Sequence, residues 1–237
     1  MSLASAYWVA EYAAKARSDS AFVQSGRSAG ADPVEMLHTV RRVLDLLAVE
    51  QSHAVLDVGC ANGLLDIVLS GACRCVTAVE RVGELAEIAR GNLAGCDNVE
   101  VITGDALDVL ADGVRFDRIL VWEALQLMER EQASLLFERM FAALAPGGRV
   151  VLGSVPDERH RAAFLVPYLD GVRRSERLTA AEKAAIIARN ERAQWYDIDA
   201  LAERWRELGG SSRVVPVPGA REKSDHRVDM VLTREAS

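Results

Sequence analysis

One stretch constrains this chain more than any other: Val55-Leu56-Asp57-Val58-Gly59-Cys60-Ala61-Asn62-Gly63. A short apolar run ends in a bend of small residues and passes straight into a helical pattern from Leu64. A near-continuous apolar run implies burial on both faces, as parallel strands require. Gly59 and Gly63 permit backbone angles closed to larger residues and let a ligand lie against the main chain. The helix behind them begins with amides that have no intrahelical partner. Such a strand, turn and helix belong in an open parallel α/β sheet, where ligands bind beyond the carboxyl ends of the strands.

The rest of the chain repeats this rhythm. Strands are expected over 54–58, 75–79, 99–103, 118–122 and 149–153, with helices near 64–69, 84–93 and 131–144 between them. A first helix is expected over 3–16. A second opens with Asp32 as cap, Pro33 in the first turn and Glu35 after it, and runs to about Leu47. After Ser154 the alternation stops. Residues 156–195 hold no strand pattern, only a helical piece over 159–172 and another opened by the capping box Thr179 and Glu182. A helix over 197–208, stopped by Gly209-Gly210, precedes two strands over 213–217 and 227–233. Those two are joined without a helix and should pair antiparallel.

The expected fold is therefore α/β: a seven-stranded, mostly parallel, doubly wound sheet with an antiparallel last strand. A helical N-terminal cover (1–48) precedes a core (49–155), a helical lid or substrate insertion (156–196) and a final helix with its strand pair (197–237), all one domain.

Charge and composition narrow the partners. The formal net charge of −7 argues against an extended phosphate-binding surface, so nucleic acid is not an expected partner. The opening 16 residues carry Glu11 and Lys15 where a secretory leader would be apolar. No apolar run approaches the ~20 residues that span a bilayer, so no membrane contact and a cytoplasmic location are expected. Cys60, Cys73, Cys75 and Cys96 show no paired two-residue spacing, and His38, His53, His160 and His226 no ligand spacing. Reduced thiols and no metal follow.

Two ligand families use a glycine bend of this kind. A dinucleotide loop, G-x-G-x-x-G, would place Gly59, Ala61 and Leu64 in register, and Leu64 is too large for the close helix–strand packing of the third place. The alternative is an acidic residue followed by G-x-G-x-G, here Asp57, Gly59, Cys60, Ala61 and Gly63. This resembles the first motif of the class I, Rossmann-like S-adenosylmethionine-dependent methyltransferases. Ala61 departs from the family glycine and is tolerable if its φ is not positive. The resemblance implies S-adenosyl-L-methionine as cofactor, its methionine end in the loop and its amino group held by Asp57. It implies further that Glu80 accepts from the ribose hydroxyls and that Arg81 lies beside the adenine. In Gly104-Asp105-Ala106, Asp105 would accept from the exocyclic amine and the Ala106 amide would read a ring nitrogen. Phe116-Asp117 and Leu144-Ala145-Pro146-Gly147-Gly148 complete the order over 55–152; the C-terminal third resembles the family more loosely.

Trp122 to Gln126 follow the fourth strand and should line the cleft beneath the sulfonium. Many small-molecule enzymes of the family carry a histidine where Gln126-Leu127 stands here. His160 is the first candidate for a general base, with Glu123 and His226 behind it. Tyr7, Trp8 and Tyr12 are either a core stripe or an aromatic cover over the cofactor's positive charge. Arg27 either meets the cofactor carboxylate or is solvated. Arg159, Arg161, Arg173, Arg174 and Arg177 hint at an acidic substrate but are nearly balanced by Asp157, Glu158, Asp170 and Glu176. The implied activity is methyl transfer to a small-molecule acceptor. The run 155–159 and the N-terminal aromatics look similar to methyltransferases of sugar and surface-glycan pathways, which suggests O-methylation of a glycan or another secondary metabolite. Two rivals stand beside it: a nicotinamide-dependent oxidoreductase, and a catalytically silent module that binds the same nucleoside.

Overall fold

The computed structural model describes residues 3–27, 32–111, 113–217 and 226–236. The strands are β1 (Ala54–Val58), β2 (Cys75–Glu80), β3 (Val99–Thr103), β4 (Phe116–Trp122), β5 (Leu144–Pro156), β6 (Gly210–Pro216) and β7 (Arg227–Arg234). They form one sheet of seven in the order β3-β2-β1-β4-β5-β7-β6. The pairs from β3 to β5 are parallel, while β7 runs antiparallel to both β5 and β6. The segment 218–225, expected to be the loop between the last two strands, lies outside the described residues.

The helices are α1 (Leu3–Ala16), α2 (Ala21–Gln24), α3 (Pro33–Leu47), α4 (Leu64–Ala72), α5 (Gly83–Asn92), α6 (Ala106–Val109), α7 (Arg130–Ala143), α8 (Arg161–Arg174), α9 (Ala180–Arg192) and α10 (Ile198–Glu207). Every residue of β1 is buried, and its alternation sorts the core into two layers. Leu56 and Val58 pack with Phe137 and Met140 of α7 and Trp205 of α10. Val55 packs on the other face with Val43 and Leu47 of α3 and Leu69 of α4. Each layer buries large aliphatic side chains at roughly 1.5–3 kcal/mol apiece.

Local signals hold as chemistry. Asp32 accepts from the Val34 amide and Pro33 opens α3. Thr179 and Glu182 close a reciprocal capping box on α9. The excursion carrying α8 and α9 leaves and returns at one place. Asp157 bridges to Tyr196, the Tyr196 amide donates to the Pro156 carbonyl at 3.0 Å, and the Glu158 amide to the Tyr196 carbonyl at 2.9 Å. Several elements are longer than the sequence suggests; β4 takes in Phe116-Asp117 and β5 takes in the Pro146-Gly147-Gly148 turn. Among the described residues, no helix is long and apolar enough to cross a membrane.

Candidate active site

The glycine bend leaves β1 at the carboxyl edge of the sheet. Gly59, Ala61 and Gly63 all take positive φ, at 83°, 51° and 78°. For the two glycines this costs little; for Ala61 the left-handed region costs about 1–2 kcal/mol. The condition under which alanine costs nothing at this place, a φ that is not positive, is thus not met. The strain is held by its surroundings: the Gly59 and Cys60 amides donate to the Val79 carbonyl at 2.8 and 3.1 Å, and the Ala61 amide to Glu80 Oε2 at 2.9 Å. Asn62, which the sequence reading passed over, is fully buried and donates from Nδ2 to the Ala21 carbonyl at 2.8 Å, tying the bend to α2.

A cleft of about 390 Å³ opens beside this bend, lined among others by Arg27, Asp57, Gly59, Ala61, Trp122 and Glu123. Asp57 is buried, and burial together with nearby Asp66 raises its carboxyl well above the usual range. Glu80 closes β2, its second oxygen accepting from the Val82 amide at 2.8 Å. Burial raises its pKa, while the Val82 and Ala61 amides pull it back. Arg27 donates from Nη1 to Ser25 Oγ at 3.2 Å.

A second hollow of about 240 Å³ lies past Glu80, walled by Arg81, Asp105, Ala106, Leu107, Met128 and Leu136. Arg81 is ion-paired to Asp105. The other Asp105 oxygen accepts from the Leu107 amide at 3.0 Å and so caps α6. Gly104 leads into this hollow, its amide donating to the Glu80 carbonyl at 2.9 Å. The two hollows bring together the residues the sequence singled out: Asp57, Gly59, Cys60, Ala61 and Trp122 at one, Arg81, Asp105 and Ala106 at the other.

Helix α1 comes near the ends of β2 and β4 and meets α9. Tyr12 of α1 is half-buried, and its hydroxyl is pushed up by desolvation and by the charges of Glu123 and Glu80. The Arg192 guanidinium of α9 lies 4.5 Å over the ring of Tyr7. Glu123 sits at the tip of β4 with φ 52°, its amide donating to the Gly153 carbonyl at 3.1 Å. Gly153 leaves room for the indole of Trp122: a Cβ there would come within 2.0 Å of the ring. Arg227 donates from Nη1 to the Ser154 carbonyl at 2.6 Å, and its Nε is buried without a partner. Burial lowers its pKa, and the charges of Glu123 and Tyr12 oppose this.

The histidines lie elsewhere. His160 is half exposed on the turn before α8, its Nδ1 3.5 Å from Asp157 Oδ2, and lines neither hollow. The His226 ring stacks on Phe164 at 3.6 Å between centroids and lies 5.6 Å from that of Trp195, joining the lid to β7. Four of the lid arginines pair locally: Arg159 with Asp157, Arg161 with Glu158, and Arg173 and Arg174 with Asp170. Trp8 is buried against the body, as a core stripe would have it. The four thiols are free, Cys60 and Cys73 buried and Cys75 and Cys96 partly so. Among the described residues no group of acids, histidines and cysteines is arranged to hold a metal.

An open α/β sheet with a glycine bend after β1 and an acidic residue closing β2 defines a nucleoside-binding protein. A methyltransferase-domain family model matches residues 55–148. The protein-L-isoaspartate O-methyltransferase 2 of Rhodopseudomonas palustris is 34% identical over 149 residues, which are 57% of this chain and 68% of that one. The chain spans about half the length of other such relatives. The N-methyltransferase NodS of Bradyrhizobium japonicum, solved with S-adenosylhomocysteine, is 18% identical with a TM-score of 0.64 over 97% of this chain and 98% of that one. The 1,6-didemethyltoxoflavin-N1-methyltransferase of Burkholderia thailandensis, solved with 1,6-didemethyltoxoflavin and S-adenosylhomocysteine, is 18% identical with a TM-score of 0.64 over 98% and 87%. The chain belongs to the class I S-adenosylmethionine-dependent methyltransferases, and its cofactor is S-adenosyl-L-methionine.

The site fits that cofactor on its own chemistry. Asp57 presents a carboxyl to the cleft, and Asp66 behind it has two buried oxygens with no donor, a negative site for an ammonium. Gly59 keeps bare backbone where a Cβ would press on the Ala124 side chain at 3.1 Å.

Proposed function

We propose that this enzyme methylates a small-molecule acceptor enclosed between α1, α9 and the tip of β4. The roof carries the reading: Tyr12, half-buried near Glu123, and Arg192 over the ring of Tyr7 set two helices on the acceptor side. Such a roof suits a small molecule and obstructs a polypeptide. The likeness to enzymes solved with small ligands extends over the lid as well as the core. The isoaspartate relatives, by contrast, match over little more than half the chain.

In this reading Asp57 and the bend of Gly59, Cys60, Ala61 and Gly63 hold the methionine end of the cofactor. Glu80 takes the ribose hydroxyls, Arg81, Asp105, Ala106 and the Gly104 turn take the adenine, and Trp122 floors the cleft. When bound, the cofactor supplies a methyl group on a positively charged sulfur. The chain's task is alignment and exclusion of water, which can supply roughly 7–11 kcal/mol of the barrier. Glu123 is the group placed to take a proton from an acceptor hydroxyl or ammonium, worth about 10²–10⁴-fold. It displaces His160 as first candidate because it lines the cleft.

The test is release of S-adenosylhomocysteine from S-adenosylmethionine in the presence of fractionated metabolite extract, against an isoaspartyl peptide. Turnover with the extract and none with the peptide supports the proposal. Turnover with the peptide alone overturns it.

A further inference from the structure

Beneath the glycine bend a second buried carboxyl stands behind Asp57. Asp66, in the first turn of α4, is fully buried, and apart from Asp57 neither of its carboxyl oxygens meets a donor from another residue. Its neighbour is the carboxyl of Asp57, close enough for a hydrogen bond between the two side chains. Two carboxylates cannot make such a bond. One of them must carry a proton, and two like charges without water raise the cost of removing it.

The charged neighbour of the pair on β2 is also acidic. Glu80 raises the cost of a charge on Asp57 and on the Cys60 thiol of the bend alike. Arg27 lines the same cleft but donates to Ser25. Among the described residues no lysine or arginine pairs with either aspartate. Asp66 is pushed up to about 7 by burial, the Asp57 carboxyl is raised well above the usual carboxylate range by burial and by Asp66, and burial pushes the Cys60 thiol up.

We propose that Asp66 is a positioning residue for the cofactor: it shares one proton with Asp57 in the cofactor-free protein, and that proton leaves to solvent when the ammonium of the ligand's amino acid arrives. The inference rests on the placement of Asp57 against that ammonium. A cation beside the pair favours the doubly charged form, so the proton is held less tightly in the complex than without ligand. Binding then releases up to one proton, and affinity rises with pH across the window between the two states.

Calorimetry with S-adenosylhomocysteine on the full chain tests this, in buffers of differing ionisation heat from about pH 6 to about pH 8. The expected result is a fraction of a proton released near neutrality and binding about tenfold tighter at the upper pH. Asp66→Asn should abolish both effects, because an amide donates to Asp57 and keeps it ionised without a shared proton. Glu80 is common to both proteins, so the difference isolates the pair. Asp66→Thr serves if the asparagine variant does not fold. Flat affinity with no proton release in the wild type, or an unchanged pH slope in both variants, overturns the shared proton and leaves the cofactor placement standing. No binding by the wild type at any pH would overturn the placement itself.

Discussion

Glu80 accepts from the Ala61 amide at 2.9 Å through one carboxyl oxygen and from the Val82 amide at 2.8 Å through the other. One side chain therefore holds the strained residue of the glycine bend and the entry to α5. Glu80→Gln offers an amide NH₂ to a backbone N–H that needs an acceptor. The expected loss is about 1–3 kcal/mol of stability by thermal unfolding. Affinity for S-adenosylhomocysteine should fall by about tenfold or more in calorimetry. A variant that binds as tightly as wild type would show that Glu80 serves the bend alone.

Ala61 offers a cleaner test of strain. Its φ of 51° costs about 1–2 kcal/mol for a residue with a Cβ, and Ala61→Gly removes that cost. The greater freedom of glycine in the unfolded chain takes back about 0.4–1 kcal/mol. The variant should be more stable by up to about 1 kcal/mol in denaturant melts. Destabilisation would mean that the Ala61 methyl, which packs against the cluster of Ala16, Val82 and Leu85, matters more than its backbone angle.

The sheet was legible because its signals are local. Apolar runs mark β1 to β5, Thr179 and Glu182 mark α9, and Gly209-Gly210 stops α10. The short α2 and α6 were not, since four residues carry no periodicity. The residues that wall the two hollows were marked for the same reason: Asp57 to Gly63, Glu80 and Asp105 stand at or just past the ends of strands. The acceptor side was legible only in pieces. Tyr12 of α1 and Glu123 after β4 stand out singly and Arg227 of β7 not at all, because the three lie far apart in sequence and meet only through the fold. Asp66 could have been noticed as an aspartate on the inward face of an apolar helix.

The Asp57–Asp66 pair also sets a pH dependence of stability. Asp66 titrates near 3.8 in the unfolded chain and at about 7 in the folded one. A raised folded value favours the native state below the lower of these, and that contribution is lost as pH climbs through the upper. The cofactor-free enzyme should therefore lose stability between about pH 4 and about pH 7, by about 2 kcal/mol once the coupling within the pair is shared out. Asp66→Asn should melt higher than wild type at about pH 8, by roughly 4–8 °C, and close to it at about pH 5. Parallel curves for the two proteins would mean that Asp66 stays ionised throughout.

The last prediction separates the two candidate bases. Glu123 lines the cleft at the tip of β4, beside Trp122 and Gly59, whereas His160 stands half exposed on the lid turn with Asp157 as its partner. A proton can be taken only by a group within hydrogen-bond reach of it. Glu123→Gln keeps the side-chain volume and its backbone bond to Gly153 while removing the charge. It should lower kcat by about 10²-fold or more on whichever acceptor the extract screen supplies, with S-adenosylhomocysteine affinity within about threefold of wild type. His160→Ala should leave both nearly unchanged. The reverse pattern would move the proton acceptor to the lid, and would require the turn at 158–160 to swing inward when the acceptor binds. An equal loss of kcat and affinity in Glu123→Gln would instead mean that this carboxylate steadies Arg227 and Tyr12 and takes no proton.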